Sequence, residues 1–233
     1  MRILLVVLST LFINTLLAQN ENVSSFDKII GIENTVLYNG KVYTNPYIIS
    51  NEQHNFYNQP NYNLGTVRYD SQNFYSINLK YDIIEDKLIF QPSGDKNYLN
   101  IELLKSKVEN FTIGEKLFIN TQFLDLEKQS KNIELGFVEV QYQSNQLKFL
   151  IKHSKNSKEI IDNNRLKTVF KKYTEYYLYY NKSILEITSI SQLKKLWPEK
   201  KNIISDFNKT YSKLKKENKI QFYTNLLHAI SND

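Results

Sequence analysis

Cysteine is absent from the 233 residues. That omission excludes a disulfide framework, a thiol nucleophile and the lipidated cysteine that could tether an exported protein to a membrane. Only six glycines occur, and neither a Gly-x-Ser-x-Gly elbow nor a phosphate-cradling glycine loop can be traced among them. Serine hydrolase, nucleotide and zinc chemistry therefore have no signature. The three histidines, His54, His153 and His228, stand too far apart for a local ligand pair. Long apolar runs are also missing, save one at the extreme N-terminus. What is present, 41% hydrophobic and 23% charged residues, describes a folding chain that buries roughly 70% of its unfolded surface.

The N-terminal run has the form of a secretory signal. Met1-Arg2 is a short positive start, Ile3 to Leu17 is mostly apolar, and Ala18-Gln19 offers a small residue before a polar one. The run is shorter than the roughly 20 apolar residues of a spanning helix, and Ser9, Thr10, Asn14 and Thr15 interrupt it. The reading is an exported protein, periplasmic or at the cell surface, with residues 1–18 removed and no transmembrane segment in the mature chain.

From Val36 to Lys152, β-branched and aromatic residues alternate with polar ones over short stretches separated by turn residues. Thr35 to Tyr38, Asn39-Gly40 and Lys41 to Tyr43 predict a tight hairpin, because both central turn residues need positive φ. Further strands are expected at 66–69, 74–81, 87–91, 98–103, 108–113, 116–120, 136–142 and 147–151. Such spacing predicts an antiparallel meander folded into a sandwich or partial barrel. Thr44 to Leu64, rich in Asn, Gln and Tyr and carrying Pro46 and Pro60, reads as a long excursion. The polar stretch 154–165 reads as a connector between a β-rich domain (19–153) and a C-terminal region (166–233).

That region predicts one hairpin, Tyr176 to Tyr180 and Ile184 to Ile187 about Asn181-Lys182, followed by helices. Ser189 or Ser191 suits a cap for a short helix ending near Trp197, and Pro198-Glu199 suits the first turn of a second. Ile203, Ile204, Phe207, Tyr211 and Leu214 share one helical face, and Ile220, Tyr223, Leu226, Leu227 and Ile230 share another. The expected class is α+β: an antiparallel β-meander followed by a C-terminal helical region.

The strings Gly65 to Asp70 and Leu79 to Leu88, with Val108 to Phe111, Gly136-Phe137 and the tyrosine-rich hairpin running to Leu196-Trp197-Pro198-Glu199-Lys200-Lys201, resemble exported proteins of unknown function from Bacteroidota-type bacteria. The resemblance spans residues 30–230 and implies an envelope address and the order of strands before helices. It implies no catalytic residue.

Charge is the strongest remaining signal. Residues 148–233 hold 18 Lys and Arg against 8 Asp and Glu, a net +10, whereas residues 1–147 hold 12 against 16, a net −4. Beside exposed tyrosines such asymmetry points to an acidic partner, and export turns the expectation from nucleic acid to an envelope protein, an anionic lipid or a glycan. The candidate binding residues are Tyr176, Tyr177, Tyr179 and Tyr180 with Lys194, Lys195, Lys200 and Lys201. In the excursion, Tyr57 and Tyr62 could stack on sugar rings. Asp82, Glu85 and Asp86 form the one acidic cluster; it fits a turn better than a calcium loop or an acid–base pair. The reading is a non-enzymatic envelope component that binds a partner protein without a cofactor. The alternatives are a carrier holding a lipid inside the curved sheet and an envelope hydrolase using the acidic cluster.

Overall fold

The computed structural model describes residues 35–50, 52–127 and 134–231; the expected signal and its cleavage point lie outside them. Eleven strands make one antiparallel sheet: β1 (Lys41–Val42), β2 (Asn63–Tyr69), β3 (Gln72–Asp82), β4 (Lys87–Gln91), β5 (Ile101–Glu102), β6 (Val108–Ile113), β7 (Lys116–Asn120), β8 (Phe137–Gln143), β9 (Leu147–Asp162), β10 (Arg165–Tyr180) and β11 (Ser183–Glu186). Their order is β1-β5-β4-β3-β2-β6-β7-β8-β9-β10-β11, so β1 and β11 are its edges and the sheet is not closed. Helices α1 (Ile190–Leu196), α2 (Lys201–Thr210), α3 (Ser212–Glu217) and α4 (Lys219–Ser231) follow, as expected for the α+β class.

Register places Phe111, Phe118, Glu139, Ile151 and Tyr176 side by side on one face, each opposite the next. That face is concave. In a flat sheet β3 and β7 would lie about 14 Å apart, yet the ring of Tyr81 on β3 is centred 5.4 Å from Phe118 on β7 and 5.8 Å from Phe137 on β8. The curl also lets Lys152 of β9 reach Asp86 in the β3–β4 turn at 2.7 Å.

Two cores fill the hollow. Over the first half, Tyr69, Leu79, Tyr81, Leu88, Phe90, Phe111 and Phe118 interlock with Leu37. Over the second, Phe149, Ile151 and Leu178 meet α1, α2 and α4 through Leu193, Ile204, Phe222, Leu226 and Leu227. The helices start where the sequence sets them: Ser189 and Gln192 form a reciprocal capping box at α1, and Pro198 opens the short turn leading into α2. The apolar face expected from Ile203 to Leu214 is split, since the chain breaks at Tyr211 between α2 and α3.

Three expectations are corrected. Asn39-Gly40 does not turn a hairpin: Val36–Asn39 is a single helical turn that buries Leu37, and Gly40 is extended with φ −78°. Its lack of a side chain serves close approach instead, because a Cβ there would lie 2.3 Å from the carbonyl oxygen of Glu102. Of the expected strand 98–103 only Ile101–Glu102 pairs. Residues 154–165 are no connector; β9 and β10 run unbroken through them about a turn at Asn163-Asn164. They lack apolar alternation because this end of the ribbon projects beyond β8 and β11, with no inner face to bury. The excursion holds as expected: between β1 and β2 one isolated bridge, Phe56 with Asp82, is formed among the described residues.

Candidate functional site

The excursion packs at the end of β3, with Tyr43, Phe56 and Tyr62 against Ile89 on the face away from the hollow and Tyr57 entering the hollow beside Phe118, and buried polar groups pin it there. Asp82, fully buried at the end of β3, accepts from Tyr43 Oη at 2.9 Å and Asn55 Nδ2 at 2.6 Å, and its other oxygen accepts from the backbone N–H of Ile84 and Glu85. Burial pushes its carboxyl above the usual range despite those bonds. Glu139, on β8, accepts from Tyr57 Oη at 3.1 Å, from His153 Nε2 at 2.6 Å and from Lys116 at 2.9 Å. Burial pushes the Glu139 carboxyl up, but the bonds and charges of His153 and Lys116 outweigh it and bring it down to about 2. Because His153 donates through Nε2, its buried Nδ1 is left without a hydrogen-bond partner. Lys155 reaches from β9 to the carbonyl oxygens of His54 and Phe56 at 2.6 and 2.9 Å, and burial with nearby Lys172 lowers it to about 8.

The acidic cluster is a turn, as its sequence position suggests, with Glu85 exposed and Asp82 and Asp86 turned inward. Asp82 is sealed, Glu85 accepts from Tyr47 Oη at 2.8 Å, and Asp86 accepts from Tyr81 Oη at 2.6 Å and holds Lys105 and Lys152. Burial raises Asp86, and the two ammonium groups more than reverse it, leaving its carboxyl below the usual range. Among the described residues no cluster of His, Asp and Glu is arranged to hold a metal ion.

The tyrosines expected to bind are committed inside the molecule. Tyr57 packs edge-on to Phe118 at 5.0 Å, and Tyr62 bonds Asn100 beneath the ammonium of Lys80, 4.1 Å from its ring centre. Along β10 the row alternates as a strand must. Tyr176 packs on Tyr223 of α4 and Tyr180 on Trp197, whereas Tyr177 and Tyr179 face the opposite layer, where Tyr179 Oη bonds the carbonyl of Asp125. The lysines differ: Lys195 and Lys201 are exposed, Lys194 and Lys200 half-buried, and none of the four forms an ion pair among the described residues.

Beside those lysines lies a feature with the build of a binding site. Where α1 leaves the sheet edge, a groove of about 430 Å³ opens between β10, β11 and α1. Leu178, Leu185, Ile187, Leu193 and Leu196 line it, with Lys195, Gln192 and Glu186 among its lining residues. Leu185 is 39% exposed on β11, and the far side of β11 has no strand partner among the described residues. A larger hollow, about 560 Å³ near Lys105, Asn120 and Asp125, is bounded by residues flanking 128–133, which lie outside the described residues.

Of the four lysines named from the sequence, Lys195 lines this groove; its leucines were not singled out, because each reads as ordinary core until α1 is seen to diverge from β11. Sequence reasoning also missed Glu139. The signal was there: Phe137-Val138-Glu139-Val140 places an acid in register with Phe137, on an inward-facing position. Comparison of the chain with protein-family models, curated proteins and solved structures finds no match, so the resemblance to exported Bacteroidota-type proteins rests only on the residues quoted for it.

Proposed function

We propose that this protein is an exported, non-enzymatic binding component of the cell envelope that docks an acidic segment of a partner protein along β11. The observation that carries this reading is the coincidence, at one edge, of a strand whose outer side has no partner among the described residues, a leucine-lined groove and the exposed Lys195 in its lining. An added strand takes its affinity from main-chain bonds and its specificity from alternate side chains seated in pockets. Here the groove beside Leu185 and Leu196, floored by the buried Leu178 and Leu193, would receive apolar side chains, and Lys195 would face carboxylates. The buried acids support the non-catalytic reading, since Asp82 and Glu139 are spent on holding the excursion in place.

Ten-residue peptides alternating valine with glutamate, or valine with lysine, test the site by titration calorimetry. The acidic series should bind at least about tenfold more tightly, and Leu185→Glu should abolish the difference. Equal binding of both series would overturn the assignment. The address is tested separately: cell fractionation with N-terminal sequencing should recover a chain beginning at Gln19 outside the cytoplasm, and an intact Met1 in the cytoplasm would defeat it.

A further inference from the structure

Beyond Ile151 on β9 and before Tyr176 on β10, the two strands pair only with each other among the described residues and form a ribbon. Its base is anchored. Tyr47 packs edge-on to Phe170 at 5.6 Å, and Gln53 accepts from the Phe170 N–H at 2.7 Å. Thr168 is still buried, but the last three pairs (Ile160 with Lys167, Ile161 with Leu166, Asp162 with Arg165) extend roughly 10 Å past it.

This tip combines two features. Ile161 is 78% exposed and Leu166, directly opposite on the same face, is 49% exposed. Ile48 and Ile49, next to the anchoring Tyr47, are likewise exposed. Around them residues 155–172 carry six Lys and Arg against two Asp and Glu, a net +4. Lys158, Arg165, Lys167 and Lys171 are all exposed, and among the described residues only Lys167 of these four pairs with an acid, Asp162. Lysines on an open strand are a common guard against edge-to-edge pairing. That guard leaves unexplained a cross-strand pair of large aliphatic side chains standing in water at the end of a projecting ribbon.

We infer that the ribbon tip meets an anionic lipid surface end-on: Ile161 and Leu166 on one face of the ribbon enter the boundary between headgroups and acyl chains, while Lys158, Arg165 and Lys167 on the other face meet the phosphates. The charge fits a negative leaflet. The apolar pair supplies a membrane-specific contribution that a soluble polyanion would not use.

Cosedimentation of the full-length chain with vesicles of phosphatidylglycerol and phosphatidylcholine in equal parts tests this, with pure phosphatidylcholine as reference. Binding should favour the anionic vesicles and weaken with salt. Ile161→Glu/Leu166→Glu should lose at least about tenfold, and Lys158→Glu/Lys167→Glu about fivefold or more per reversed cation. Lys209→Glu/Lys213→Glu, with the same change in net charge on α2 and α3, should stay within about twofold of the parent. Ile161→Ser/Leu166→Ser, milder toward the fold, should still lose binding while its melting temperature and near-ultraviolet spectrum match the parent. Three results would overturn the inference: equal losses from ribbon and helix variants, unchanged binding by the serine variant, or complete displacement by an acidic polysaccharide at matched charge.

Discussion

One curved sheet is packed in two chemically different ways. At the end of β3, reaching across to β8 and β9, the cover is a loop of the chain itself, from Tyr43 to Tyr62, held by buried polar side chains: Tyr43 and Asn55 on Asp82, Tyr57 on Glu139 of β8, and Lys155 of β9 on two loop carbonyls. Over β8 to β11 the cover is α1 to α4, held by Leu193, Ile204, Phe222, Leu226 and Leu227. A loop must satisfy its own backbone and so spends side-chain donors and acceptors on its position; a helix satisfies its backbone internally and is free to spend apolar area. The first cover should therefore answer to pH, and the second to packing volume.

The largest effect should come from the helical cover. Phe222 is fully buried, touching Phe207 and Tyr223 at ring distances of 5.5 and 5.4 Å. Phe222→Ala should cost about 4 kcal/mol in urea unfolding, by the same amount at pH 4 and pH 7. A loss that changed with pH would mean that the two covers are not chemically distinct.

Next comes the loop cover. Glu139 titrates near 2 in the folded protein, below its ordinary value, so its contribution is fully present above the unfolded carboxylate range, near 4.5. It is lost as pH falls through about 4.5 toward 2, a contribution on the order of 3 kcal/mol at neutral pH. Asp82 works the other way: with its carboxyl raised, its ionisation weakens the fold as pH rises through the same acid range. Glu139→Gln should leave a stability profile that falls less steeply below pH 5, with hydrogen exchange at 54–57 losing its acid sensitivity. An unchanged profile would remove Glu139 from the account of how the loop is held.

At the near end of the loop, Gly40→Ala should cost about 2 kcal/mol, because its methyl group would meet the backbone of Glu102 and force β1 from β5. Exchange protection should fall from Tyr43 onward and hold in α4. This glycine also marks where the sequence misleads. Asn-Gly is the strongest short hairpin signal, yet Leu37 gains more by turning into the core, and no local pattern reports that tertiary preference. Val108–Ile113 and Lys116–Asn120 were legible because Phe111 with Ile113, and Phe118 with Asn120, alternate over one buried face. Residues 154–162 were not, since a strand wet on both sides has no alternation to display. At the candidate site the lysines could be read from charge, whereas the groove depends on the angle at which α1 leaves β11, a property of packing.

The smallest expected effect separates turn chemistry from both covers. In a glycine-poor chain the hairpin turns fall to other residues: Asp70-Ser71 has φ of 51° and 65°, and Asn181-Lys182 in the other half has 47° and 57°. A residue with a Cβ pays for that left-handed conformation, and serine, unlike asparagine, gains little back by local bonding. Ser71 is exposed, between β2 and β3, so a glycine there relieves strain without removing a core contact. Ser71→Gly should raise stability by about 0.5 kcal/mol, part of the relief being offset by the freer unfolded chain. Since neither residue titrates, the gain should be equal at pH 4 and pH 7, in contrast to the glutamate beneath the same loop. A gain confined to neutral pH would show that this turn is coupled to the buried acids, and that the polar fastening of the first half extends through the wall of the sheet.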